Sequence, residues 1–331
     1  MKSALDILRV GHAHDEVLRS GVSVVLCERP VIAGVHVLGA APGTRETELL
    51  SPENSVTHVD ALVLSGGSVF GLDSASGVVE ALRSRGRGFK VGDQNMPIVP
   101  AAILYDLGNG GDKSWEGPSP YLELGRMAIR NVDSEFQIGG VGAGFGATTA
   151  NLRGGFGYAE THLPNGAVVC AFVAVNAVGQ VTMGDKAHFW ATPFEQDQEF
   201  GGLGFPPTLE KNMSSVNVKS PGGRRLETIE NTTIGIVATN ATLSKSGAKR
   251  LAMSAHDGYA HAIWPCHTPM DGDLIFALST EECEAEDLIQ LNAAATSTMA
   301  RAIAIGVHST QPRADDSVPS WQSRFGNFAT K

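Results

Sequence analysis

The sequence of 331 residues has few aromatic side chains, few cysteines and no long hydrophobic run. Only 6% of its residues are aromatic, and its four cysteines form no C-x-x-C pair. This spacing favours buried free thiols over disulfides or zinc ligands. No stretch approaches the roughly 18 apolar residues of a membrane-spanning helix, and residues 1–7 lack the apolar core of a signal peptide. We therefore expect a cytoplasmic protein.

Basic residues are also scarce. The 25 Lys and Arg residues stand against 35 Asp and Glu residues, which gives a formal charge of -10, and basic side chains cluster only in short runs such as residues 83–87. Binding to a polyanion or to an anionic membrane needs a basic patch. We therefore expect neither nucleic acid nor a membrane as a partner.

Glycine, in contrast, is frequent, with 39 residues in a chain that is 42% hydrophobic and 18% charged. Such a composition is typical of a globular protein with tight turns and a layered α/β or α+β fold. The hydrophobic pattern predicts strands at 21–27, 31–38, 58–64, 167–175, 233–239 and 274–278. It also predicts helices at 244–262 and from a capping box, Ser279 with Glu282, to Gly306.

Two motifs that could hold a metal or a cofactor are weak. His12-Ala13-His14-Asp15 has no distant partner motif, so a solvated or hydrogen-bonded histidine pair is favoured over a metal site. Residues 139–147 match the dinucleotide fingerprint loosely, but no strong strand precedes them and no helix pattern follows. A glycine-rich segment whose backbone N–H groups approach a substrate is the better functional interpretation. We expect neither a metal nor a cofactor.

The interval 185–230 has little periodicity and ends at Asn231-Thr232-Thr233, directly before a predicted strand. A long interval of this kind is typical of a functional loop or a linker. The Thr232 hydroxyl could attack the adjacent Asn231 carbonyl and cut the chain there. Asn231-Thr232-Thr233 also fits the N-glycosylation pattern, as do tripeptides at Asn212 and Asn240, and the sequence leaves this alternative open.

Cleavage before Thr232 would create an N-terminal threonine. Its α-amine, with a reference pKa of about 7.7 to 8.0, is partly neutral near pH 7 and can accept the hydroxyl proton. Nucleophile and base would then belong to one residue.

Several ordered motifs together resemble the L-aminopeptidase/D-esterase family of self-processing hydrolases, and within it the nylon-oligomer (aminohexanoate-oligomer) endo-hydrolases. They lie at residues 64–73, 99–107, 140–144, 231–234 and 270–273. The resemblance implies an α+β fold, a four-layer α-β-β-α sandwich similar to the N-terminal-nucleophile hydrolases. It implies one hydrolase domain, 1–331, that cuts itself into 1–231 and 232–331 and assembles as a homo-oligomer.

The resemblance also implies roles for five residues. Thr232 corresponds to the nucleophile and new N-terminus, and Asn176 to the side-chain donor to the oxyanion. Tyr105 corresponds to a tyrosine of the same pocket. Asp271 and Asp273 correspond to the acidic pair that orients the threonine and its amine. Neutral donors and paired carboxylates are the groups that such a reaction needs.

One position departs from the family pattern. Many relatives place a lysine shortly after the glycine-rich segment, where this sequence has Asn151, with Arg153 two residues on. A lysine at this position would contact substrate or tune the pKa of the Thr232 amine. Here either Asn151 fills that role without a charge, or the Arg153 guanidinium supplies the positive charge.

The sequence therefore predicts an amide hydrolase of the aminopeptidase or amidase type that acts on small amides or short peptides. An acyltransferase similar to ornithine acetyltransferase and a non-catalytic family member remain as alternatives.

Overall fold

The computed structural model describes residues 1–208, 215–219, 231–314 and 316–326. The expected loop at 185–230 therefore lies partly outside the described residues. The strands are β1 (Leu8–Asp15), β2 (Ser20–Val37), β3 (Gly43–Arg45), β4 (His58–Ser65), β5 (Phe89–Val91), β6 (Gln94–Met96), β7 (Ala101–Ile103), β8 (Gly155–His162), β9 (Val168–Val175), β10 (Ile234–Ala241) and β11 (Leu274–Cys283). The helices are α1 (Asp73–Ser84), α2 (Pro120–Arg130), α3 (Lys245–Ala262), α4 (Leu288–His308) and α5 (Trp321–Phe325).

Nine of these strands pair into one sheet, in the order β3-β7-β4-β2-β11-β10-β9-β8, with β1 also paired to β2. Strands β10 and β11 are parallel, whereas β9 is antiparallel to β10. Parallel strands start at the same edge of a sheet, and an antiparallel neighbour ends there. The start of β10, the start of β11 and the end of β9 therefore meet at one edge.

Three groups of buried apolar side chains divide the fold into four layers. One group lies between helices α1 and α2 and strands β1, β2 and β4, and a second lies between the two halves of the folded sheet. The third lies between strands β8 to β11 and helices α3 and α4. Successive side chains of β10 point to opposite faces of the sheet. Ile234 and Ile236 belong to the group between the two halves of the sheet, and Val237 belongs to the group that packs against α3 and α4. The fold class is α+β, as the sequence predicts.

Strand β2 is continuous, so the prediction of two separate strands at 21–27 and 31–38 was wrong. Its register against β4 shifts between Leu26 and Val31, and the intervening Glu28, Arg29 and Pro30 are exposed. A bulge of this kind keeps the strand running while the extra residues point into solvent. Pro30 is tolerated there because it donates no ladder hydrogen bond.

The start of the last long helix was also predicted incorrectly. Ser279 and Glu282 lie in β11, where the Ser279 hydroxyl donates to Ala241 O at 2.7 Å. Pairing of β11 with both β10 and β2 extends the strand through the apparent capping box. The cap of α4 is Asp287, whose carboxylate accepts from two backbone N–H groups of the first turn.

The two weak motifs have structural roles. His12 is hydrogen-bonded to Ser23 Oγ and Gln137 O, and burial lowers its pKa to about 4. In the glycine-rich segment, Ala143 N donates to Ser23 Oγ, so this part of the segment packs against β2. Across the described ranges, no group of three or more His, Cys, Asp or Glu side chains could hold a metal ion. No helix within those ranges is long and apolar enough to cross a membrane.

Candidate active site

The predicted site residues from three strands meet at the edge where β10 and β11 begin. Asn231 pairs with Asp271 as an extension of the parallel ladder. Thr232 N donates to Asn176 O at 3.0 Å, which continues the antiparallel pairing of β9. Strand topology therefore places Asn176, Asn231 and Asp271 side by side, although they are distant in sequence.

The peptide bond between Asn231 and Thr232 lies in a buried, polar setting. Thr232 Oγ1 donates to Asn231 O at 2.6 Å, and Gly272 N donates to the same carbonyl oxygen at 2.9 Å. Thr232 is only 3% exposed. Two donors on one carbonyl oxygen draw electron density from its carbon, and the Thr232 hydroxyl is in contact with this carbonyl group.

Gly272 leaves room for this arrangement because it has no side chain. A Cβ atom at Gly272 would lie 2.3 Å from Ala41 O and 2.7 Å from Thr232 Oγ1. Both distances are shorter than a van der Waals contact, and Ala41 O is a backbone atom. Residue 272 must therefore be glycine if the hydroxyl is to stay beside the carbonyl.

We expect Gly272→Ala to block cleavage between Asn231 and Thr232, because the methyl group would displace the hydroxyl or the N–H donor. Gly247→Ala is the matched control, since its Cβ would meet nothing closer than 3.4 Å at the start of α3. Denaturing gels of the two purified variants check this. A Gly272→Ala protein that is cut as completely as Gly247→Ala would contradict the steric argument.

The Asn176 side chain is held by three polar neighbours. Its Oδ1 accepts from Thr148 N at 3.0 Å and from Lys219 Nζ at 3.2 Å, and its Nδ2 donates to Tyr105 O at 2.8 Å. Because Thr148 N and the Lys219 ammonium only donate, these bonds fix which end of the amide is oxygen. The second Nδ2 hydrogen has no acceptor among the residues that the structure describes, so it can serve a further acceptor.

Tyr105 adjoins Asn176 through its backbone, as described above. Its hydroxyl makes no hydrogen bond to any residue that the structure describes, and the ring edge lies close to Gly108. The role of the Tyr105 hydroxyl in the oxyanion pocket stays a prediction.

The two aspartates flank Gly272, and both are buried. Asp271 accepts from Thr268 N and Thr268 Oγ1 at 2.9 and 2.7 Å, and Asp273 accepts from Thr233 N at 2.8 Å. Burial and the neighbouring Asp273 carboxylate raise the pKa of Asp271 to about 6. The Asp273 carboxylate therefore contacts the backbone next to Thr232, whereas the Asp271 carboxylate is bound by Thr268 and by Val178 N.

His267 is a charged neighbour that the sequence interpretation missed. Its Nδ1 lies 2.8 Å from Asp273 Oδ2. Burial alone would lower the pKa of His267, but the Asp273 carboxylate and the Cys266 sulfur raise it to about 10. The short distance and the raised pKa favour the imidazolium form of His267 beside the Asp273 carboxylate. This role follows from direct contact in the folded chain, which no spacing in the sequence marks.

Lys219 is the second residue that the sequence interpretation missed. It lies in the interval without periodicity, where no pattern marks it, and its Nζ is 2.8 Å from Asn231 Oδ1. Burial lowers the pKa of Lys219 to about 7, although the carboxylates of Asp106 and Asp271 act in the opposite direction. The Lys219 amino group thus reaches the Asn231-Thr232 junction from a part of the chain that no sequence pattern marks.

Asn151 and Arg153, the two candidates for the role of the family lysine, make other contacts. Asn151 Nδ2 donates to Thr182 Oγ1 at 3.4 Å. The Arg153 guanidinium donates to Gln311 O and Phe145 O, both at 2.9 Å, and pairs with Asp316. The partners of Arg153 belong to the C-terminal segment and the glycine-rich segment. Tuning of Thr232 by either residue stays a prediction.

Two solved structures share the fold of this chain. A β-aminopeptidase from a Burkholderia species superimposes with a TM-score of 0.65 and 18% sequence identity, covering 96% of this chain and 89% of that chain. The L-aminopeptidase D-Ala-esterase/amidase from Ochrobactrum anthropi, described as a variant of the Ntn-hydrolase fold, gives 0.66 and 17% identity, covering 98% and 92%. This likeness shows that the chain has the fold of these two proteins.

Residues 5–314 match the model of peptidase family S58, and the chain belongs to this family. An uncharacterized aminopeptidase of Mycobacterium tuberculosis is 37% identical, with 98% of each chain covered. A 6-aminohexanoate-oligomer endohydrolase of Paenarthrobacter ureafaciens is 27% identical, covering 83% of this chain and 73% of the relative. The protein is a hydrolase that acts on amide bonds.

Proposed function

We propose that the chain cuts itself between Asn231 and Thr232 and then hydrolyses small amides or short peptides with Thr232 as the N-terminal nucleophile. The observation that carries this proposal is the contact of Thr232 Oγ1 with Asn231 O at 2.6 Å, on a carbonyl that also accepts from Gly272 N. Membership of a peptidase family supports amide hydrolysis as the reaction.

The self-cleavage takes place in two steps. Thr232 Oγ1 forms a bond to the Asn231 carbonyl carbon, the C–N bond breaks, and the hydroxyl proton ends on the Thr232 nitrogen. Water then adds to the resulting ester and releases an Asn231 carboxylate and a Thr232 residue with a free hydroxyl and a free amine. Gly272 N stabilises the negative charge that develops on Asn231 O in both steps.

The free amine changes what the site can do. In the uncut chain Thr232 N is an amide that donates to Asn176 O, and it cannot accept a proton. As an amine it can take the Thr232 hydroxyl proton while Thr232 attacks a substrate carbonyl. Asn176 Nδ2 is the side-chain donor for the substrate oxyanion, and Asp271 and Asp273 orient the amine and the hydroxyl.

The test of this function is product analysis with the purified protein. Short peptides, amino acid amides and 6-aminohexanoate oligomers are incubated separately, with and without added ornithine. We expect release of free acids and amines without transfer to ornithine. Accumulation of acylated ornithine would instead identify an acyltransferase, and no turnover of any amide by a completely cut protein would contradict hydrolase function.

The pKa of Asp271 gives a pH prediction. The Asp271 carboxyl group, with a pKa of about 6 in the uncut chain, is neutral below that pH, so kcat/KM should fall further below about pH 6, beyond the fall caused by protonation of the Thr232 amine near its reference pKa of about 7.7 to 8.0. Asp271→Asn should lower kcat more than it raises KM, and it should remove the limb below about pH 6 while the limb of the amine remains. Steady-state rates across the pH range check this. An unchanged limb in Asp271→Asn would show that another group titrates there.

A further inference from the structure

Lys219 Nζ is surrounded by oxygen atoms at the junction that is cut. It lies 2.8 Å from Asn231 Oδ1, 3.2 Å from Asn176 Oδ1 and 3.5 Å from Thr148 O. Its backbone is also tied down, because Lys219 N donates to Val178 O at 2.9 Å. The side chain therefore reaches a defined place between the residue that precedes the cut and the proposed oxyanion donor.

These neighbours fit an ammonium group. An ammonium has three donors and no acceptor, so it can serve three oxygen atoms at once. A neutral amine has two N–H donors and a lone pair, and the lone pair would face one of the oxygens. The contacts therefore favour the charged form, whereas burial favours the neutral one.

Two amide side chains depend on this ammonium for their orientation. Its bond to Asn176 Oδ1 directs Asn176 Nδ2 away from Lys219, toward the side on which Tyr105 O lies. Its bond to Asn231 Oδ1 holds the side chain of the residue whose carbonyl is attacked. Asn231 Nδ2 has no hydrogen-bond partner among the described residues, so Lys219 is the polar contact that holds this amide.

The charges that act on Lys219 come from two other elements. Asp106, which follows β7, and Asp271, at the start of β11, both raise the pKa of Lys219 against the effect of burial. Burial raises the pKa of the Asp106 carboxyl group, and the charge of Lys113 lowers it. Because the pKa of Lys219 is about 7, the protonated fraction of Lys219 decreases with rising pH across the range in which the protein can be assayed.

We propose that Lys219 is a positioning residue for self-cleavage: its ammonium holds the Asn231 and Asn176 side chains in the orientation that the Thr232 attack requires. This inference rests on the proposed function. It applies to the uncut chain, in which Thr232 has no free amine and the step depends on the arrangement of the surrounding polar groups. Lys219 lies on the larger of the two expected chains, within the segment that precedes the cut.

The experiment follows conversion of the freshly translated full chain into two chains on denaturing gels, between about pH 5 and pH 9. Lys219→Met should slow conversion by about 10- to 100-fold, because it removes charged hydrogen bonds from two buried amides. Lys219→Arg should restore part of the rate. Wild-type conversion should fall as the pH rises through about 7, and Lys219→Arg should lack this fall because arginine keeps its charge.

Lys245→Met is the matched control. Lys245 is also buried, and its Nζ donates to three backbone carbonyls, of Leu49, Asn54 and Val56, away from the junction. Conversion of Lys245→Met at the wild-type rate shows that loss of a buried lysine does not by itself prevent cleavage. Equal slowing of both methionine variants, or a Lys219→Met chain that cuts at the wild-type rate, overturns the positioning role.

Thr232→Ala in the same series separates this inference from the proposed function. If Thr232→Ala stays uncut while Lys219→Met is cut normally, only the role of Lys219 is wrong. If Thr232→Ala is itself cut at Asn231, the proposed self-cleavage is wrong and the inference fails with it. A wild-type pH profile that matches that of Lys219→Arg counts against the ammonium requirement.

Discussion

Thr232→Ala is expected to leave the chain uncut and without amide hydrolase activity. The substitution removes Oγ1, the atom that contacts the Asn231 carbonyl and that would carry the acyl group in both reactions. It leaves the backbone hydrogen bond from residue 232 to Asn176 O in place, so the fold should persist. Activity should fall to the background of the assay, and gels with rate measurements on the same sample check both effects.

Thr233→Ala is the control that the chain itself offers. Thr233 is the neighbouring threonine and is equally buried, but its Oγ1 has no hydrogen-bond partner in the described part of the chain. Its contact with Asp273 is made by the backbone N–H, which alanine retains. Thr233→Ala should be cut and active. Loss of cleavage in Thr233→Ala but not in Thr232→Ala would show that the nucleophile is Thr233 and not Thr232.

Asn176→Asp should lower kcat on the order of 100-fold or more if Asn176 Nδ2 stabilises the oxyanion. Aspartate has nearly the same shape, and an oxygen can still accept from Thr148 N and Lys219 Nζ. It lacks the amide donor and carries a negative charge, so it loses the bond to Tyr105 O and opposes the developing oxyanion instead of stabilising it. The rate is measured on cut protein only, normalised to the amount of the smaller chain.

An Asn176→Asp protein with wild-type kcat would remove Asn176 from the oxyanion pocket. Asn176→Ala is the less specific companion, because it also leaves Thr148 N and Lys219 Nζ without their acceptor. A larger effect of alanine than of aspartate on thermal stability would show how much of the Asn176 network is structural.

Part of the site could be predicted from the sequence because it is built on regular strands. Asn176 follows the apolar strand β9, and Asp271 and Asp273 precede the apolar strand β11. Hydrophobic runs identify such strands, and polar residues at their ends collect at sheet edges. The pairing that unites them, with β10 parallel to β11 and antiparallel to β9, is a long-range property.

Lys219 could not be predicted, for a physical reason. It belongs to a segment with no hydrophobic periodicity, and it reaches Asn231 and Asn176 only through the way that segment lies on the fold. The same limit explains the misplaced start of α4, because Ser279 and Glu282 form a local capping pattern that strand pairing overrides. Local sequence patterns fail to predict secondary structure and site residues where tertiary contacts determine them.

The intact mass of the purified protein, with N-terminal sequencing of each chain, tests the central claim most directly. Self-cleavage predicts two chains, one that ends at Asn231 and one that begins Thr232-Thr233-Ile234-Gly235. The two masses together should exceed the mass of the uncut chain by one water molecule. A single active chain with the mass of all 331 residues would contradict the account.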